Sequence, residues 1–150
     1  MDAVTYPDAK VISFMQKNVI PLRVNFDAQP LATDFNVKWT PTIVILGNQG
    51  EEHHRTVGFF GPEELIPSLL LGIAKVHFET EQFDKALAKL EKLLSDYPNS
   101  SSAPEAIYLK GVSLYKSTED PKPLKLAYEN LKANYSDSEW TQRAYPYRLL

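Results

Sequence analysis

A proline standing one residue ahead of an apolar, β-branched run constrains this chain more than any other stretch. The run reads Val37-Lys38-Trp39-Thr40-Pro41-Thr42-Ile43-Val44-Ile45-Leu46. Proline locks φ and lacks an N–H, and an X-Pro bond adopts cis at a cost of only about 0.5–1 kcal/mol. Pro41 can therefore hold a tight turn that other residues allow only at greater cost. Local residues alone leave an ordinary trans Thr-Pro bond as the commoner outcome. Thr42–Leu46 is apolar on both faces, as suits a central strand covered by helices on either side.

Upstream, Tyr6-Pro7-Asp8 followed by Val11, Ile12, Phe14 and Met15 predicts a helix capped by Asp8 and stopped at Asn18. Ile20–Phe26 alternates Ile20, Leu22, Val24 and Phe26 against Arg23 and Asn25, the period of a strand, with Pro21 confining its start to an edge. Pro30–Phe35 predicts a brief helix ending at Asn36. Strand, helix, strand implies a right-handed crossover and a parallel pair. Beyond Leu46, Gly47-Asn48-Gln49-Gly50 is a turn cluster, and His54–Gly58 is expected to return as an antiparallel strand. Gly61-Pro62-Glu63-Glu64 opens a helix with proline and two acids in its first turn.

Met1 to about Gly72 resembles the later part of a thioredoxin domain, specifically bacterial thioredoxin-like proteins. The resemblance rests on Met1-x-x-x-Thr5-Tyr6-x-Asp8, Val37-x-x-Thr40-Pro41-Thr42, Gly50-Glu51 and Arg55-x-Val57-Gly58. It implies that Pro41 is cis and that the backbone of Thr40 pairs with an extended polypeptide. The peptide-binding residues expected are Trp39, Thr40, Pro41, Gly58 and Phe59. The family's first central strand and its Cys-x-x-Cys would lie before Met1. Without that strand the sheet is incomplete, and either another segment, a second copy forming a homodimer, or residues upstream of Met1 would complete it.

From about Leu70 the pattern turns helical and repeats. Ile73, Ala74, His77, Phe83, Ala86, Leu90, Leu93 and Pro98 resemble a tetratricopeptide motif, two helices broken near residues 79–82. A second unit follows: Ser102-Ala103-Pro104-Glu105 reads as a capping box, and Asp96-Tyr97-Pro98-Asn99-Ser100 recurs as Asn134-Tyr135-Ser136-Asp137-Ser138. The period is near the motif's length of about 34 residues, with a slight insertion around Pro121. Residues 139–150 are expected to form a cap helix bent or ended by Pro146. Two parts are thus expected: an α/β thioredoxin-like part with an incomplete sheet over 1–72, and an all-α tetratricopeptide-like helical region over 73–150. The helix starting at Pro62 would be common to both.

Composition narrows the function classes. The chain has 150 residues and no cysteine. Thiol-disulfide exchange needs a thiolate, so as written it is not a dithiol enzyme. Sixteen Lys and Arg against nineteen Asp and Glu leave a charge of −3 with no basic block, which argues against a nucleic-acid partner. No apolar run reaches a membrane span, and residues 1–17 lack a signal-peptide layout, so a soluble cytoplasmic protein without a membrane partner is expected.

Candidate chemistry is sparse. His53-His54, with His77, invites a metal reading, but strand neighbours point to opposite faces, so no metal site and no cofactor are expected. Glu51-Glu52 and Glu63-Glu64 stand at a turn and a helix start, where acids are ordinary. Trp39 either contacts a peptide beside a free backbone edge or packs beneath the loop, and Phe59-Phe60 carries the same two readings. Tyr108, Tyr115 and Tyr128 either pack the repeats or line a peptide groove. The leading expectation is a non-catalytic protein- or peptide-binding module of chaperone or scaffold type. The alternative is the downstream part of a thiol-disulfide oxidoreductase whose cysteines precede Met1.

Overall fold

The computed structural model describes residues 1–150 and is mostly helical, with one small sheet. Helix α1 (Ala9–Asn18) starts where Asp8 accepts hydrogen bonds from the amides of Lys10 and Val11, at 2.8 and 3.1 Å. Its apolar face buries Val11 and Phe14. Just before it, the fully buried Thr5 donates its hydroxyl to the Phe60 carbonyl at 2.5 Å, tying the N-terminal turn to the segment after the hairpin. The short α2 (Leu31–Asp34) ends through Asn36 at φ 46°, a left-handed position that asparagine tolerates. Both Gln29-Pro30 and Thr40-Pro41 are cis; the second was expected, the first was not.

Strands β1 (Thr42–Leu46) and β2 (Glu52–Val57) form a two-stranded antiparallel sheet in which Thr42 faces Val57 and Val44 faces Arg55. A register irregularity falls between Ile45 and Leu46. The strand expected over Ile20–Phe26 is absent. That segment pairs with no strand, and Ile20 and Leu22 are 99% and 80% exposed. Alternation selects a face, but a strand also needs a neighbour for its amides and carbonyls, and Pro21 supplies no donor. The expected parallel pair falls with it, because the sheet consists of β1 and β2. β1 is accordingly half-buried rather than covered on both sides.

Helix α3 (Pro62–Glu79) begins with Glu63 and Glu64 in its first turn and carries Pro67 within it. The following helices are α4 (Phe83–Asp96), α5 (Ala103–Thr118), α6 (Lys122–Asn134) and α7 (Glu139–Ala144), and then a 3-10 turn over Tyr145–Leu149. The chain divides into two compact units, Met1–Ile66 and Pro67–Leu150.

In the second unit the helical hairpins repeat in detail. The turns after α3 and α5 pass through left-handed glutamates, Glu81 and Glu119, each at φ 59°. α4 ends as the Tyr97 amide donates to Leu93 and the Ser100 amide to Tyr97; α6 ends as Tyr135 donates to Leu131 and Ser138 to Tyr135. Ala86, Leu90 and Leu93 line the buried face of α4, and Leu124, Tyr128 and Leu131 that of α6.

The capping box at Ser102 is not made. Ser102 is buried with helical dihedrals, its side chain caps nothing, and Glu105 pairs with Lys75 instead. The chain enters α5 already hydrogen-bonded through its backbone, with the Ala103 amide on the Ser100 carbonyl, so the side-chain cap is redundant. The last segment bends at Pro146 as expected, the α-helix stopping at Ala144 and the proline entering the 3-10 turn. No helix is long and apolar enough to cross a membrane.

Candidate functional site

The Thr-Pro corner is assembled by three elements. From α2 the chain turns at Asn36 and runs exposed through Lys38, Trp39 and Thr40 before β1 begins. The Thr42 hydroxyl donates to the Trp39 carbonyl at 2.6 Å, which closes the turn from inside. The Gly58 amide donates to the Pro41 carbonyl at 2.9 Å, extending the hairpin by one bond. Gly58 sits at φ 106°, where a side chain is strained, so glycine is required at that exit.

Arg55 fixes the floor. Its Nε and Nη2 donate to the two carboxylate oxygens of Glu52 at 2.7 and 2.5 Å, and Nη2 also donates to the Phe35 carbonyl at 2.7 Å. One guanidinium thereby joins β2 to the end of α2. The pairing holds the Glu52 carboxyl below its ordinary pKa and raises that of Arg55. The result is an open recess of about 460 Å³ lined by Asn36, Lys38, Trp39, Thr42, Arg55 and Val57.

Of the residues expected to bind peptide, Trp39 is 74% and Phe59 64% exposed, which decides against both packing as core. Thr40 is exposed, and its backbone N–H and C=O bond to no other part of the chain. Trp39, Thr40 and Pro41 are consecutive at the corner, and the Gly58 bond holds Pro41 beside the hairpin's exit, with Phe59 next in the chain; of the five, Trp39 alone lines the recess. Sequence reasoning missed Asn36, Lys38, Thr42, Arg55 and Val57 as lining residues. The signal was available in the pairing of Thr42 with Val57, which a hairpin register delivers once the turn length is known.

Glu51 and His53 stand at the hairpin turn. Glu51 accepts from the Gln49 amide at 3.0 Å and stands 3.2 Å from His53 Nε2, and its carboxyl is lowered first by its own backbone amide and then by His53. No group of three or more His, Asp or Glu side chains is gathered as a metal cage would need.

The second unit offers a different surface. Tyr108 packs against Trp140 and Tyr147 with ring centroids 5.2 and 5.9 Å apart, and its hydroxyl lies 3.0 Å from that of Tyr147. Burial, and then the bond to Tyr108, pushes the Tyr147 pKa up to about 12. Ile107, Ala127, Tyr128, Leu131 and Ala144 form the apolar core beneath. Tyr128 and Tyr108 thus pack the repeats, while Tyr115 stays exposed. Tyr128, Thr141, Gln142 and Tyr145 line a shallower recess of about 320 Å³.

Residues 68–100 match the tetratricopeptide repeat family, a stretch that runs from within α3 to the turn after α4. No curated protein and no solved structure matches the chain. The chain therefore carries a tetratricopeptide-like repeat within a mostly helical fold. Such helix pairs stack to bury their faces and present extended surfaces to partner proteins, which points to a protein-binding module.

Proposed function

We propose that the chain is a non-catalytic module of chaperone or scaffold type that holds an extended segment of a client or partner polypeptide. Its two functional parts are a thioredoxin-like part with an incomplete sheet over residues 1–72 and a tetratricopeptide-like helical part over 73–150. The peptide site is Trp39, Thr40, Pro41, Gly58 and Phe59. One observation carries this reading: an indole 74% exposed stands next to a Thr40 backbone whose donor and acceptor are free, beside an open recess. A bound strand would gain backbone bonds at Thr40 and aromatic contact at Trp39, the combination by which sheet-edge additions obtain affinity and selectivity.

The test is fluorescence anisotropy with a fluorescein-labelled extended peptide, Ser-Val-Gln-Val-Thr-Val-Ser, on wild type and Trp39→Ala. Loss of a central aromatic contact costs about 2 kcal/mol or more, which is roughly thirty-fold in affinity. Unchanged binding by a folded Trp39→Ala protein would remove the corner as the site.

A second reading, homodimerisation that completes the sheet, draws on Ile20–Phe26, whose apolar side chains are exposed while the segment pairs with no strand. Sedimentation as a monomer at micromolar concentration would dispose of it.

A further inference from the structure

The recess at the corner is chemically lopsided. Its lining combines the apolar surface of Trp39 and Val57 with two cations, Lys38 and Arg55, and includes no carboxylate. The two cations are not equivalent. Arg55 is neutralised by Glu52 and further committed to the Phe35 carbonyl. The Lys38 ammonium group enters no ion pair and no hydrogen bond with any other part of the chain.

The strand beside it is equally uneven. β2 carries Glu52, His53, His54 and Arg55, whereas β1 is Thr42-Ile43-Val44-Ile45-Leu46, without a charge, and pairs along one edge only. Charged side chains on an edge strand discourage the addition of another strand, and a β-branched, uncharged edge does not. An incoming strand is therefore directed to the open edge of β1, whose N-terminal end meets Lys38 and Trp39.

We infer that the occupant of this corner is an extended, β-branched segment that carries a carboxylate, Asp or Glu, placed to pair with Lys38 while its neighbouring apolar side chain lies on Trp39 and Val57. The inference rests on the corner being the peptide site and adds the charge of the ligand. The attraction is local, since the chain as a whole is at −3 and a distant acidic ligand is not drawn by its net field. An exposed ion pair contributes selectivity of about two- to five-fold rather than affinity in bulk.

Three fluorescein-labelled peptides, Ser-Val-X-Val-Thr-Val-Ser with X as Glu, Gln or Lys, test it by anisotropy on the full chain. The Glu peptide is expected to bind about three-fold tighter than Gln, with Lys the weakest. The differences should collapse near 1 M salt, where the screening length falls to about 3 Å. Lys38→Glu, at an exposed position, should keep the helical circular dichroism spectrum and reverse the order. Equal affinity for the three peptides, or an order that survives Lys38→Glu, overturns the inference. If equal binding is nevertheless lost in Trp39→Ala, the corner still binds peptide and only the charge assignment falls. Binding by none of the three overturns both.

Discussion

Gly111 sits where α5 crosses α6, and giving it a methyl group tests the packing of the second hairpin directly. A Cβ built there would lie 2.7 Å from the Ala127 Cβ and 3.0 Å from the Pro123 carbonyl oxygen. Carbon atoms prefer about 3.5–4.0 Å, and the second obstacle is backbone, so a rotamer change cannot relieve both contacts. Overpacking of this kind costs about 1–3 kcal/mol. Against it stands the gain of replacing a mid-helix glycine, about 1 kcal/mol. With two contacts this short, one of them to backbone, the cost falls at about 2–3 kcal/mol, so the contact term wins and Gly111→Ala should be destabilising by about 1–2 kcal/mol. For a unit of this size that is a melting temperature lower by roughly 4–15 °C, followed by far-ultraviolet circular dichroism. Ala127→Gly in the Gly111→Ala background should recover part of the loss by removing the first contact, leaving the Pro123 carbonyl as the residue of strain, and the non-additivity measures the coupling. A Gly111→Ala protein as stable as wild type, or more so, would mean that α5 and α6 do not approach this closely.

Three further perturbations bear on separate parts of the account. Asp8→Ala removes the acceptor for two first-turn amides of α1 and should cost about 1 kcal/mol, read as a shift in the urea midpoint. Leu131→Ala, at a fully buried position in the core of the second unit, should cost about 2–5 kcal/mol in the same assay. For Tyr147, the folded pKa is about 12 against an ordinary 10.0, so its stabilising effect is complete below pH 10 and is lost as the pH rises from there through about 12. Tyr147→Phe should flatten the fall in melting temperature over that window, and an unchanged slope would contradict the assignment.

Much of this fold is written in local chemistry. Asp8 as a cap, Asn36 as a helix stop and the Gly47–Gly50 turn before a returning strand each depend on one or two residues acting on neighbouring backbone, and each is found. The helix break after Glu79 and the twin tyrosine turns were equally legible, because the repeat states them twice. What was not legible needed a distant partner. Ile20–Phe26 has the alternation of a strand, but nothing in its own residues says whether a neighbour exists to take its hydrogen bonds. Ser102 and Glu105 have the spacing of a capping box, but Lys75, thirty residues earlier, captures the glutamate.

The candidate site divides the same way. Trp39, Thr40 and Pro41 are contiguous, and a resemblance through short motifs is enough to single them out. Lys38 adjoins Trp39 in the chain, whereas Val57 becomes part of the site only through the register that sets β2 against β1, and Arg55 acquires its role from a carbonyl twenty residues away. Tyr147 takes its high pKa from burial and then from its bond to Tyr108, a contact no local pattern announces.

The central claim is that an extended polypeptide pairs with the backbone at Thr40, and amide-resolved nuclear magnetic resonance during titration with the Ser-Val-Glu-Val-Thr-Val-Ser peptide tests it most directly. The account predicts that the Thr40 amide shifts and exchanges more slowly as it gains a partner, together with the Trp39 indole N–H and the amides of β1. Shifts confined to Tyr128, Thr141, Gln142 and Tyr145, with Thr40 and Trp39 unmoved, would contradict it and place recognition on the helical repeats instead.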